Sequence, residues 1–147
     1  MKAINILIII LFTIISNFSF GQCNDQLVNV CALDNNGATY IKDFKVKLKK
    51  AKKKEAAPVA KYQVALSKNT TYRFNSCNAT EFAGEAIVQL FDAEQMLGST
   101  YNMATGKNYK GFDFYCKKSG VYNIYISFKD GEEGCAVGIL SFVGKEY

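Results

Sequence analysis

Beyond its first two dozen residues the chain alternates apolar and polar positions with a period of two. Phe44, Val46 and Leu48 alternate with Lys45, Lys47 and Lys49, and Tyr62 and Val64 alternate in the same way with Lys61 and Gln63, ahead of Leu66. That period places successive side chains on opposite faces of a strand. No window of a dozen residues carries the three-and-four spacing of an amphipathic helix. The pattern predicts strands over 27–33, 39–48, 61–66, 71–75, 86–92, 96–101, 111–116, 121–128 and 135–143. Turn-rich pieces such as "DNNG", "SKNT", "TGKNYKG", "KKSG" and "KDGEEG" separate them. About nine short strands, with one proline and no long helix, predict an all-β fold, an antiparallel, jelly-roll-like β-sandwich. Strands 39–48 and 61–66 are expected to pair as a hairpin, as are 111–116 and 121–128.

The opening segment has a different pattern. Lys2, the apolar run 4–15 and then "NFSFGQ" form the charged, apolar, polar order of a secretory signal peptide. Small residues Ser19 and Gly21 flank Phe20, which fits cleavage after Gly21. An apolar run of about a dozen residues falls short of the roughly 20 that cross a bilayer. The expectation is an export signal over 1–21 and one β-sandwich domain over 22–147. The mature protein is then periplasmic or extracellular, with no transmembrane segment.

Charge adds one local feature. Residues 42–61 hold nine lysines against Asp43 and Glu55, whereas the rest of 22–147 has eight basic and eleven acidic residues. The segment 49–61 is too long for an ordinary hairpin turn. As a helix it would set Lys49 against Lys53 and Lys50 against Lys54, and Pro58 pushes Ala57 out of helical geometry. It reads as a mobile lysine-rich loop on which Lys49, Lys50, Lys52, Lys53 and Lys54 would meet a polysaccharide, a lipopolysaccharide or an acidic protein of the envelope. Export argues against nucleic acid. Tyr115 falls out of phase with Phe112, Phe114 and Cys116, so it belongs to an outer face and joins Tyr101, Tyr109 and Tyr125 as a possible stacking platform.

The chain contains no histidine. That removes Ser-His-Asp and Cys-His nucleophiles and histidine-held zinc or copper. Asp92 with Glu94, and Asp130 with Glu132 and Glu133, sit beside turns where solvated acids are ordinary. "DGEEG" lacks the ligand spacing of an EF-hand. No catalytic residue, metal or cofactor is expected. Cys23, Cys31, Cys77, Cys116 and Cys135 are disulfide candidates in an exported chain, and the odd count leaves one thiol over. The expected 111–116/121–128 hairpin would hold Cys116 and Cys135 at opposite ends, which excludes that pair.

"VALSKNTTYRF", "AIVQLFDAEQMLGSTY" and "FDFYCKKSGVYNIYISF" carry further information. Thr70, Thr71 and Tyr72, then Leu90, Phe91 and Asp92, then Phe112, Phe114, Ser119, Gly120, Tyr122 and Tyr125 follow a strand-and-turn pattern over 59–143 that resembles the bacterial pre-peptidase C-terminal domain. The ending "GVYNIYISFKDGEEGCAVGIL" is similar to that of small, stand-alone exported bacterial proteins. The resemblance implies a jelly-roll accessory module without catalysis. The sequence thus reads as a secreted or periplasmic binding module for a polyanionic glycan or an acidic protein. Its alternative is an assembly protein of the envelope that docks a partner through a sheet face or edge.

Overall fold

A computed structural model describes Cys23 and residues 25–146 of the chain. The expected export signal, 1–21, lies outside the described residues. A helix, α1 (Asp25–Leu33), precedes ten strands: β1 (Thr39–Leu48), β2 (Val59–Leu66), β3 (Thr70–Asn78), β4 (Ala86–Asp92), β5 (Gln95–Ser99), β6 (Tyr101–Asn102), β7 (Lys107–Asn108), β8 (Gly111–Cys116), β9 (Gly120–Phe128) and β10 (Gly134–Lys145). Two four-stranded antiparallel sheets, ordered β1-β10-β3-β8 and β2-β9-β4-β5, pack face to face as a β-sandwich, and β6-β7 forms a small ribbon beside them. No helix among the described residues is long and apolar enough to cross a membrane.

The period-two pattern does the work the sequence assigns to it. Phe44 and Val46 of β1, Phe74 of β3 and Cys116 of β8 face Val64, Leu66, Leu90, Ile124 and Ile126 of the other sheet, all nearly or fully buried. Truncating one of these isoleucines or leucines to alanine costs about 2–5 kcal/mol, through lost burial and the cavity left behind. Gly98 is glycine because a Cβ there would meet the Phe112 ring at 2.5 Å.

Three expectations are corrected. Residues 27–33 belong to α1 and not to a strand, because Leu27, Val28 and Cys31 share one helical side and pack on Val137 and Ile139 of β10. β1 and β2 do not form a hairpin: β1 pairs with β10 and β2 with β9, so the intervening loop crosses from one sheet to the other. β8 and β9 likewise lie in opposite sheets, β8 on β3 and β9 between β2 and β4. The lysine-rich loop touches the turn after β9 at its start, where the Ala51 N–H donates to Gly131 O at 2.7 Å and Lys50 Nζ to Glu132 at 2.8 Å.

Disulfides Cys23–Cys135 and Cys31–Cys77, each with Cα atoms 5.7 Å apart, clamp the helical segment onto β10 and β3. Of the five disulfide candidates, Cys116 is the one left over, a free and buried thiol. Its inward position in β8 puts it inside the sandwich, while the four paired cysteines lie along the helix-covered face.

Candidate functional site

The two outer faces of the sandwich differ. On the β1-β10-β3-β8 sheet, α1 and the turn after it cover the middle. Asn35 Nδ2 donates to Ser141 Oγ at 2.7 Å, Arg73 donates to Asn35 O at 3.1 Å, and Arg73 also forks onto Asp113 at 2.6 and 2.7 Å. Lys45 pairs with Asp25 at the start of the helix. A cleft of about 520 Å³ lined by Asp34, Arg73, Asn75, Lys110 and Asp113 lies beside that seam, and its charged residues already pair across it.

Among the described residues no helix covers the outer face of the β2-β9-β4-β5 sheet. Its register sets Lys61, Tyr125, Gln89 and Ser99 in one row across the four strands, and Gln63, Asn123, Phe91 and Met96 in the next. Val59, Ser127 and Ile87 make a third row, and Ala65 and Val121 close the other end. Strand alternation turns these side chains outward, because Val64, Ile124, Ile126 and Leu90 between them turn inward. Phe91 and Tyr125 sit with ring centroids 4.7 Å apart, Lys61 Nζ lies 4.8 Å over the Tyr125 ring, and Gln63 donates to Asn123 at 3.2 Å. Lys61 is the one formal charge among the residues of these rows, in a chain of which 21% is charged. The face is therefore amide-rich and aromatic.

At the β2 edge this face opens into a groove of about 600 Å³ lined by Lys42, Lys61, Tyr62, Gln63, Asn123 and Tyr125. Tyr62 ties the groove to β1. The hydroxyl donates across to Lys45 O of β1 at 3.0 Å, and burial raises the phenol above its ordinary range.

The residues singled out from sequence do not converge. Lys49, Lys50, Lys52, Lys53 and Lys54 lie on the loop after β1, at the end of the sandwich where β9 gives way to β10. Acids stand beside them: Lys50 holds Glu132 and Lys52 reaches Glu55 at 3.9 Å. Tyr115 sits on β8 opposite Thr71, at the other end of the molecule, its hydroxyl 3.5 Å from Asn69. Tyr101 lies in β6 under Lys129, and Tyr109 follows β7 under Lys107. Of the four proposed platforms, Tyr125 alone falls on the open face. Its partners Phe91, Gln63, Gln89 and Asn123 escaped sequence reasoning because cross-strand neighbours depend on strand order; the signal was their shared outward phase. Among the described residues no group of three or more Asp, Glu, Cys or His is placed to hold a metal ion.

No family model and no curated protein matches the sequence. Among solved structures, the chain is similar to PliG of Aeromonas hydrophila, a periplasmic lysozyme inhibitor of g-type lysozyme, with a TM-score of 0.53 and 12% identity over 74% of this chain and 90% of that one. At that identity the likeness concerns the fold, and the fold it shows is an all-β sandwich.

Proposed function

We propose that the chain is an exported, non-catalytic binding module that docks a protein partner through the open face of its β2-β9-β4-β5 sheet. The observation that carries this reading is the makeup of that face, where Tyr125, Phe91 and Met96 stand among amides and Lys61 is the lone charge. Interface centres are depleted in charge and enriched in aromatics and methionine. Two further points support it. The fold neighbour is a periplasmic inhibitor whose target is itself a protein, and the resemblance of 59–143 to pre-peptidase C-terminal domains implies an accessory role without catalysis. The lysine loop supports a polyanionic ligand less well, since acidic neighbours already meet part of its charge.

The test is a photo-crosslinking amino acid placed at Asn123, with Tyr115 as the control position, in cells that make the protein. A discrete protein adduct at 123 and none at 115 is the expected result. No adduct at 123, or the same adduct at both positions, overturns the reading. Purified g-type lysozyme is the first partner to titrate, with Tyr125→Ala expected to weaken any complex by tenfold or more, as loss of an aromatic anchor does.

A further inference from the structure

Each sheet of the sandwich ends in two edge strands, and three of the four are ill suited to accept another strand. β1 has a register shift between Tyr40 and Lys42, and Tyr62 of the neighbouring sheet already donates to its Lys45 carbonyl. β5 has five residues and pairs with β4 through an irregularity at Leu90 and Phe91. β8 has six. β2 differs. All eight of its residues, Val59–Leu66, run in unbroken register with β9, and among the described residues no backbone group of this strand bonds to anything outside its own sheet. A straight edge of unpaired N–H and C=O groups is a template for an added strand, and chains ordinarily blunt such edges with bulges, proline or several charges.

From these features we infer that β2 receives an extended, acidic segment of the partner as a fifth strand of the β2-β9-β4-β5 sheet. The inference rests on the docking role proposed above and adds the chemistry of the docked piece. Charge complementarity identifies the occupant. The groove of about 600 Å³ along this edge is rimmed by Lys42 and Lys61, and no carboxylate lines it. Main-chain bonds along β2 supply the attachment, and the alternation of the added strand puts every second side chain beside those lysines. A second copy of this chain fits less well, because pairing β2 with β2 gathers the lysines of both copies with nothing acidic in the groove.

The probe is an alternating Glu-Val octapeptide added to the oxidised full chain, read by amide hydrogen exchange and NMR shifts over 59–66. Binding in the range of about 0.1–1 mM, with slowed exchange confined to β2, is expected. The same peptide N-methylated at alternate residues keeps its side chains but loses donors, and is expected not to bind. Lys42→Glu with Lys61→Glu is expected to weaken binding at least tenfold without altering the fold. Equal binding of the N-methylated peptide, no slowed exchange over 59–66, or preference for a Lys-Val octapeptide overturns the inference. So does protection of β2 that grows with protein concentration alone, which assigns the edge to a second copy. A crosslink at Asn123 that persists alongside any of these results leaves the docking role standing and removes only the added strand.

Discussion

Arg73 is the one arginine of the chain, and it joins three pieces of structure: β3, on which it sits, Asp113 of β8, and the carbonyl of Asn35 after α1. The guanidinium holds the Asp113 carboxyl below the usual carboxylate range. A carboxylate whose folded pKa is depressed stabilises the fold above its unfolded value near 3.9, and that contribution is lost as pH falls through the folded value. Asp113 is well exposed, so the expected gain is small, about 1 kcal/mol at most. Urea unfolding of Asp113→Asn should show that deficit at pH 7, and the deficit should shrink as pH falls below the ordinary carboxylate range. Cys116 is the opposite case, sealed in the core with Sγ 3.1 Å from Lys118 O and 3.7 Å from the Tyr122 hydroxyl. Burial, with Cys116 beside it, pushes the Tyr122 phenol up to about 12. A thiol reagent without reductant is expected to leave Cys116 untouched in the native protein and to modify one thiol per chain in denaturant. Its inward direction was legible from its phase with Phe112 and Phe114, whereas the partners of the other four cysteines were not, because those pairings depend on a helix the pattern did not display.

That helix is the element where pattern reading failed. α1 has nine residues with Leu27, Val28 and Cys31 turned to the sheet, fewer than the dozen over which a 3.6-residue period declares itself. A helix this short is marginal alone, and Asp25 near its N-terminus is the one favourable charge in its first turn. Tertiary clamps hold it, so its stability is not written in its own segment. The consequence was visible elsewhere: β10 reads "GCAVGILS" without alternation because α1 covers the side that would otherwise be wet, and residues 134–141 are buried on both faces. Replacing Cys31 and Cys77 with alanine is expected to cost about 2–5 kcal/mol, the usual range for a native disulfide. It should speed amide exchange in 25–33 and around Val137 and Ile139 while leaving β9 protected. Uniform loss of protection would mean that the helix is integral to the sandwich and not a clamp upon it. Strand existence was legible because alternation is local. Strand partnership was not: the loops at 49–58 and 117–119 each join two strands whose alternation suits a hairpin, yet both cross between sheets.

At the scale of the whole molecule the two prominent surface features lie apart, and they make opposite demands on salt. The lysine-rich loop is at the β9-to-β10 end and the uncharged rows run across the β2-β9-β4-β5 sheet. Attraction between the loop and a polyanion weakens once salt shortens the screening length from about 30 Å at 0.01 M to about 3 Å at 1 M. Contacts made by Tyr125, Phe91 and Met96 bury apolar area and respond little to salt. Changing Lys49, Lys50, Lys52, Lys53 and Lys54 together to glutamine takes the formal net charge from +5 to zero. The expected cost is solubility, since a chain near zero net charge associates more readily. Capture of the protein partner should remain within a factor of about two, whereas Tyr125→Ala should reduce it at least tenfold, about 1.4 kcal/mol. Affinity measured for both variants at low and high salt separates the two surfaces. If the glutamine variant loses capture and Tyr125→Ala keeps it, with wild-type affinity falling steeply in salt, the loop is the binding element and the open face is scaffold.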